Sequence, residues 1–148
     1  MMTYYETVDF IPHIPLELVD SLMDIETYEN VFPRPERVNV YASYVVQQNL
    51  QDWAQAQFDY PVVARYQIIK QDLPVHTDVG ITGGKYNYLL TTGGANVKTR
   101  WWDSEDNPQT VLHEVVAQTH VWYNLNIDVL HEVVNVTEPR ISVTIRRI

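Results

Sequence analysis

The chain has 148 residues, of which 45% are hydrophobic, and its 19 acidic and 10 basic side chains give a formal net charge of −9. This length predicts a single domain over residues 1–148 with a core of useful size. The absence of cysteine excludes disulfides, thiol nucleophiles and iron–sulfur ligation, and leaves His, Asp and Glu as the strong metal ligands. The negative charge makes nucleic acid an unfavourable partner, because the average surface repels phosphate.

The chain shows no sign of a membrane segment. No apolar run approaches the roughly 20 residues of a transmembrane helix, and Met1–Phe10 lacks the basic start and apolar centre of a signal peptide. We therefore expect a soluble, cytoplasmic protein without a membrane partner. Its oligomeric state stays open, although a small chain with long β edges is compatible with a homodimer.

The first part of the chain predicts short helices and one strand. Apolar residues at helical spacing predict a helix over Pro15–Glu29, which the Pro33 and Pro35 pair ends. The Val- and Tyr-rich segment Arg37–Val46 suits a strand, and Asn49–Phe58 suits a second helix. These elements are expected to form a layer that supports the rest of the protein.

From Val62 onward the sequence changes to short β-rich runs separated by turn residues such as Gly93-Gly94 and Glu138-Pro139. The predicted strands are Val62–Lys70, Tyr86–Thr91, Val97–Trp102, Thr110–Gln118, His120–Leu125 and Arg140–Arg146. Six such runs indicate an antiparallel sandwich or barrel. The predicted fold is mainly β, a cupin-like jelly roll with short N-terminal helices packed on it.

A hexapeptide, VLHEVV, occurs at Val111–Val116 and again at Val129–Val134. The similarity does not extend further, so we interpret the two copies as similar β segments and not as a duplication. They supply two candidate histidines, His113 and His131, which have to be distinguished.

The segment His76-Thr77-Asp78 is a candidate half of a metal site. Residues two apart on an extended segment point to the same side, so His76 and Asp78 can converge on one ion. Two imidazoles and one carboxylate hold non-haem iron while leaving coordination positions open. The alternative is a turn histidine followed by an aspartate that caps a loop.

The final predicted strand favours His131 as the third ligand. Arg140 follows His131 by nine positions and Ser142 follows it by eleven, whereas His113 has no cation in that register. Arg140 and Ser142 share one side of the strand with Thr144 and Arg146, and a guanidinium aimed into a barrel requires an anionic partner. A dicarboxylate suits the two-pronged arginine donor.

Two alternatives for these residues remain. Arg140 could instead form a structural ion pair with Glu132 or Asp128. Tyr66 and Asn87 are candidates for hydrogen bonds to the same anion from neighbouring strands, and the competing interpretations are core packing for Tyr66 and an edge role for Asn87.

Taken together, His76-x-Asp78, His131 within LHEV, and Arg140-x-Ser142 resemble the superfamily of 2-oxoglutarate- and Fe(II)-dependent dioxygenases. The likeness covers about Tyr66 to Arg146, somewhat over half of the chain. Tyr88-Leu89-Leu90 before Gly93-Gly94, followed by Thr99-Arg100-Trp101, further resembles the prolyl-hydroxylase-like branch, including short forms encoded by phages.

The resemblance implies a double-stranded β-helix in which His76, Asp78 and His131 bind Fe(II). It implies that Arg140, helped by Ser142, binds the distal carboxylate of 2-oxoglutarate. The expected activity is hydroxylation of a protein side chain or a small molecule, with O₂ and an organic or peptide substrate as partners. Because Asp78 supplies the carboxylate ligand, halogenation is disfavoured.

Two other functions stay open. Arg140-x-Ser142-x-Thr144-x-Arg146 also resembles the Arg-x-Asn-x-Thr-x-Arg signature of the nucleic-acid dealkylase branch, but Ser142 stands in place of Asn and the surface is acidic. A basic groove around Arg146 and Arg147 would favour that function. The other alternative is a cupin-like binding module without catalysis.

Overall fold

The computed structural model describes residues 4–76, 85–102, 111–126 and 129–148. The strands are β1 (Tyr5–Thr7), β2 (Tyr41–Val45), β3 (Val62–Ile69), β4 (Leu73–His76), β5 (Lys85–Thr92), β6 (Lys98–Trp102), β7 (Val111–Val115), β8 (Trp122–Leu125), β9 (His131–Val134) and β10 (Arg140–Arg147). One α-helix, α1 (Gln48–Gln55), precedes β3, and single 3₁₀ turns occur at Leu16–Leu18, Ile25–Thr27 and Pro35–Arg37.

The strands form two antiparallel sheets. The larger sheet has the order β1-β8-β5-β10-β3-β2, and the smaller one has the order β4-β9-β6-β7. From β3 onward the chain crosses repeatedly between the sheets, so that β3, β5, β8 and β10 lie in one and β4, β6, β7 and β9 in the other. This is the connectivity of a cupin-like double-stranded β-helix, and the predicted fold class is confirmed.

Both faces of the larger sheet are covered. Alternate residues of β3 and β10, among them Tyr66 and Val143, pack against α1 and the N-terminal segment in the main hydrophobic core. The opposite residues, including Ile69 and Leu89, face the space between the sheets, where they belong to two smaller clusters. We call these the outer and inner faces, and the inner face carries the residues of interest.

The predicted helix over Pro15–Glu29 is wrong. Its place is taken by two 3₁₀ turns, and the residue that ends the first, Val19, has extended dihedral angles (φ −100°, ψ 122°). The carboxylate of Asp20 accepts hydrogen bonds from its neighbour Ser21 and from the hydroxyl of Tyr28. Such local side-chain bonds compete with the helical ladder and hold this segment in an irregular path.

The other predicted elements are present with shifted ends. The strand predicted at Arg37–Val46 forms only over its last part, because a 3₁₀ turn occupies Pro35–Arg37. The short edge strand β1 was not predicted, since three residues carry too weak an alternation. In the part of the chain that the structure describes, no helix is long and apolar enough to cross a membrane.

Candidate functional site

The structure brings His76 and His131 together. His76 ends β4 and His131 begins β9, and the two residues are directly opposite each other in the antiparallel pair. Their ring centroids are 4.4 Å apart with an angle of 52° between the ring planes. His131 is buried, with 8% of its surface exposed, whereas His76 is half-buried.

The two rings are held in the same way. The Nδ1 atom of His76 lies 2.6 Å from the carbonyl oxygen of Pro74, and Nδ1 of His131 lies 2.7 Å from that of Val129. A carbonyl only accepts hydrogen bonds, so each Nδ1 carries the proton and donates it. The lone pair of each neutral ring is therefore on Nε2, and a backbone carbonyl that orients a histidine in this way is typical of metal ligands.

The spacing of the rings fits one metal ion. With metal–nitrogen bonds of about 2.1 Å, a ring centroid lies about 3.2 Å from the ion, so two ligands at a right angle have centroids about 4.5 Å apart. The observed 4.4 Å agrees with this value. Asp78, the predicted carboxylate ligand, lies outside the described residues, and within those residues no group of three or more His, Cys, Asp or Glu side chains is assembled.

The repeated hexapeptide places its two histidines symmetrically about β6. Trp101 of β6 is opposite His113 of β7 on one side and opposite His131 of β9 on the other. The glutamates that follow, Glu114 and Glu132, are likewise both opposite Arg100. Only the β9 copy neighbours β4, so only His131 meets His76, while His113 is exposed and contacts the rings of tyrosines in the N-terminal segment.

Arg140 is buried on the inner face of the larger sheet, with 7% of its surface exposed. It begins β10, opposite Ile69 of β3 and Thr92 of β5. Burial lowers the pKa of its guanidinium from 12.5 to about 10, because desolvation disfavours the cation, and nearby Tyr123 acts weakly in the other direction. Arg140 is therefore still charged at neutral pH.

The predicted alternative of an ion pair for Arg140 finds no support in the described residues. Glu132 instead accepts a hydrogen bond from the indole of Trp102 at 3.0 Å and lies 3.9 Å from Arg100. Asp128 lies outside the described residues. Among the ion pairs of the described segments, none involves Arg140.

Polar side chains surround the middle of β10 on the same inner face. Ser142 donates to the amide oxygen of Gln67 at 3.3 Å, and Asn87 donates to the same oxygen at 3.4 Å. Gln67 in turn donates to the hydroxyl of Tyr41. All of Ser142, Gln67 and Asn87 are buried, so a hydrogen-bonded polar patch lies beside Arg140 in the interior, where polar groups require partners.

Tyr66 does not belong to this patch. Its position in β3 faces the main core, and its hydroxyl donates to Gln47 at 2.7 Å and accepts from the backbone N–H of Asp20 at 3.2 Å. This geometry corrects the expectation that Tyr66 lines the anion site. The residue that β3 supplies there is Gln67, which the strand alternation next to Arg65 could have indicated, since both lie on the face opposite to Tyr66.

Hydrophobic contacts connect Arg140 to the histidine pair across the inner space. Ile69, the cross-strand neighbour of Arg140, packs with Val133 of β9. Val133 is two residues beyond His131 in the same strand and therefore shares its face. The buried cation and the buried histidine thus line the same space between the two sheets.

Gly93 makes room for Arg140. It has a φ of +85°, and a Cβ added there would lie 2.7 Å from Cβ of Arg140. We expect Gly93→Ala to lower the free energy of unfolding by about 2–3 kcal/mol, because strain and overlap add. Chemical denaturation measures this, with Asn96→Ala in the same exposed turn as a control that changes stability by less than about 0.5 kcal/mol. Equal losses in both variants would contradict the assigned role.

Comparison with known proteins yields no family assignment. No family model matches the chain, and no curated protein matches it. Among solved structures it is similar to Fe(II)-HppE with the alternative substrate (S)-1-HPP, with a TM-score of 0.49 and 13% identity, over 82% of this chain and 57% of that chain. It is also similar to Bacillus subtilis oxalate decarboxylase, with a TM-score of 0.47 and 11% identity, over 83% of this chain and 28% of that chain. A third similar structure is hydroxypropylphosphonic acid epoxidase from S. wedmorenis, with a TM-score of 0.45 and 15% identity, over 74% of this chain and 52% of that chain. The chain thus spans less than two thirds of each of these proteins.

Proposed function

We propose that the protein is an Fe(II)- and 2-oxoglutarate-dependent oxygenase that hydroxylates a protein side chain or a small molecule. The observation that carries the proposal is the buried Arg140 cation, which has no carboxylate partner among the described residues and lines the same space as His131. A buried charge without a partner is costly. A site that binds a dicarboxylate accounts for keeping one there.

In this proposal His76 and His131 present Nε2 to the iron, and Asp78 supplies the carboxylate ligand. Bound iron would supply the activation of O₂, coupled to the oxidation of 2-oxoglutarate to succinate and carbon dioxide. The carbonyls of Pro74 and Val129 keep both imidazoles in the ligating tautomer by accepting from Nδ1. This arrangement orients the rings before the ion arrives.

Arg140 would bind the distal carboxylate of 2-oxoglutarate with its two-pronged donor. Ser142, two residues along the same face, offers a hydroxyl to the same carboxylate, and Gln67 and Asn87 hold that hydroxyl in place. Burial strengthens these interactions, because water is excluded from the pair of charges. Residues on the inner face of β3, β5 and β10 therefore account for co-substrate binding in this proposal.

The nucleic-acid dealkylase alternative is weakened by the direction of Arg147. Its guanidinium lies 4.5 Å from the ring centroid of Tyr60, which belongs to the layer beside the outer face. Arg146 is on the inner face, so the two arginines do not line one groove. A binding module without turnover remains the outcome that the experiment below has to exclude.

The test is an anaerobic titration of the metal-free protein with Fe(II) and 2-oxoglutarate, followed by exposure to O₂. We expect a weak visible charge-transfer band from chelation of the keto acid by iron, and slow formation of succinate without added substrate. The same titration with succinate in place of 2-oxoglutarate serves as the control, because it lacks the keto group. Iron binding without the band and without succinate formation would leave a metal-binding module and refute the oxygenase.

A further inference from the structure

A group of three cations lies on the inner face of the larger sheet, at the end away from Arg140. Arg146 of β10 is directly opposite Lys85 of β5. Arg65 of β3 is opposite Thr144, one step along the same face, and is therefore the diagonal neighbour of Arg146. All three side chains are half-buried. We refer to Arg65, Lys85 and Arg146 as the cation cluster.

The cation cluster differs from the other cations of the sheets in having no carboxylate partner. Lys98 and Arg100 on β6 pair with Glu114 at 3.3 and 3.0 Å, and Lys70 pairs with Glu26. Within the described residues no ion pair involves a member of the cation cluster. In a chain with a net charge of −9, three neighbouring cations left in this state are unexpected.

The crowding of like charges is measurable at Arg65. Desolvation is the main cause that lowers its pKa, and the charge of Arg146 lowers it further, while Glu29 acts in the opposite direction without forming an ion pair. One Nη1 of Arg65 donates to its neighbouring carbonyl, that of Ala64, at 3.0 Å. The remaining donors of two guanidinium groups and one ammonium face one region, which an anion would stabilise.

We propose that the cation cluster binds a phosphate group carried by the substrate of this protein. The proposal rests on the proposed oxygenase function and specifies its substrate as a phosphorylated small molecule. Six residues of extended chain separate Arg146 from Arg140, which corresponds to about 20 Å. The cation cluster and Arg140 are therefore separate anion sites on one face, with the hydroxyls of Ser142 and Thr144 between them.

A single phosphate group fits the cation cluster better than a polymer does. Three cations at one place match one dianion, whereas nucleic acid is bound by a basic stripe that follows its backbone. The adjacent Arg147 does not extend the cation cluster, because it lies over Tyr60. The acidic surface elsewhere would repel the neighbouring phosphates of a polymer.

The test is calorimetric titration of the metal-free protein with inorganic phosphate at low ionic strength. We expect saturable binding that Arg146→Gln weakens at least ten-fold, with Arg65→Gln acting in the same direction. Arg147→Gln is the matched control, because it removes the same charge one residue away on the other face. Arg140→Met should also leave phosphate binding unchanged, since it alters the other anion site. Circular dichroism of each variant establishes that it is folded.

Three results would overturn the proposal. The first is no phosphate binding by the wild type, and the second is equal weakening by Arg146→Gln and Arg147→Gln. The third is tighter binding of a single-stranded oligonucleotide than of phosphate, with loss of binding in both arginine variants, which would assign the region to nucleic acid. The titration uses neither iron nor 2-oxoglutarate, so its failure leaves the charge-transfer test of the oxygenase unaffected.

Discussion

Replacing Arg140 with methionine is expected to stabilise the unliganded protein and to abolish its binding of 2-oxoglutarate. The pKa of Arg140 falls from 12.5 to about 10 on burial, a difference that corresponds to roughly 3 kcal/mol of unfavourable free energy for the folded cation. Methionine keeps an unbranched apolar stem beside Gly93 and removes the charge. An uncharged residue at a buried ionic site is often neutral or stabilising by about 1–4 kcal/mol.

The measurement is thermal unfolding of wild type and Arg140→Met, each with and without 2-oxoglutarate and Fe(II). Wild type should gain stability from the ligand, because ligand binding to the folded state raises its free energy of unfolding. The variant should start higher and gain nothing from the keto acid. Arg147→Met is the control for removing an arginine near this end of β10, and should lose at most about 1 kcal/mol with its contact to Tyr60. A less stable Arg140→Met would show that Arg140 has a structural partner.

The stability gain should depend on pH in a defined direction. The folded-state pKa of Arg140 lies below its unfolded value, so the folded state binds this proton more weakly. The penalty is therefore fully present below about pH 10 and is lost as the pH rises from there towards 12.5. The difference between wild type and Arg140→Met should accordingly be constant around neutral pH and shrink only in strong base.

The fold could be predicted from the sequence because the strand signal repeats, but local competition defeated one helix. The strands β3, β5, β6, β8 and β10 each carry enough β-branched and aromatic residues to be found. Pro15–Glu29 has apolar residues at helical spacing as well, yet hydrogen bonds from Asp20 and the docking of its N–H on Tyr66 decide its path. Such bonds depend on residues that are distant in sequence.

The site could be predicted in part, and the face of β3 shows why. His131 and Arg140 were selected by a fixed spacing, which survives without knowledge of the third dimension. Tyr66 and Gln67 are adjacent residues of a strand that is buried on both faces, so burial does not distinguish the inner face from the outer one. The pairing of Gln67 with Ser142 of β10 does distinguish them, and that pairing is a tertiary fact.

Replacing His131 with alanine is expected to remove metal binding, whereas replacing His113 is expected to leave it intact. The two histidines share the local sequence LHEV and both oppose Trp101, so the pair of variants is closely matched in chemistry. They differ in that His131 meets His76 at 4.4 Å and His113 does not. Changes to residues that merely support a metal ligand often cost 10- to 100-fold in affinity, so loss of a ligand should exceed about 100-fold.

Anaerobic competition against a chromophoric chelator gives the Fe(II) affinity of each variant, and Co(II) absorption reports the ligand set independently. His76→Ala should behave like His131→Ala, because either change leaves a single imidazole. His113→Ala should stay within about two-fold of wild type, since its ring contacts only aromatic neighbours in the described structure. If His113→Ala and His131→Ala lowered the affinity equally, the metal would have to lie nearer to β6, and neither the His76–His131 centre nor the oxygenase built on it would stand.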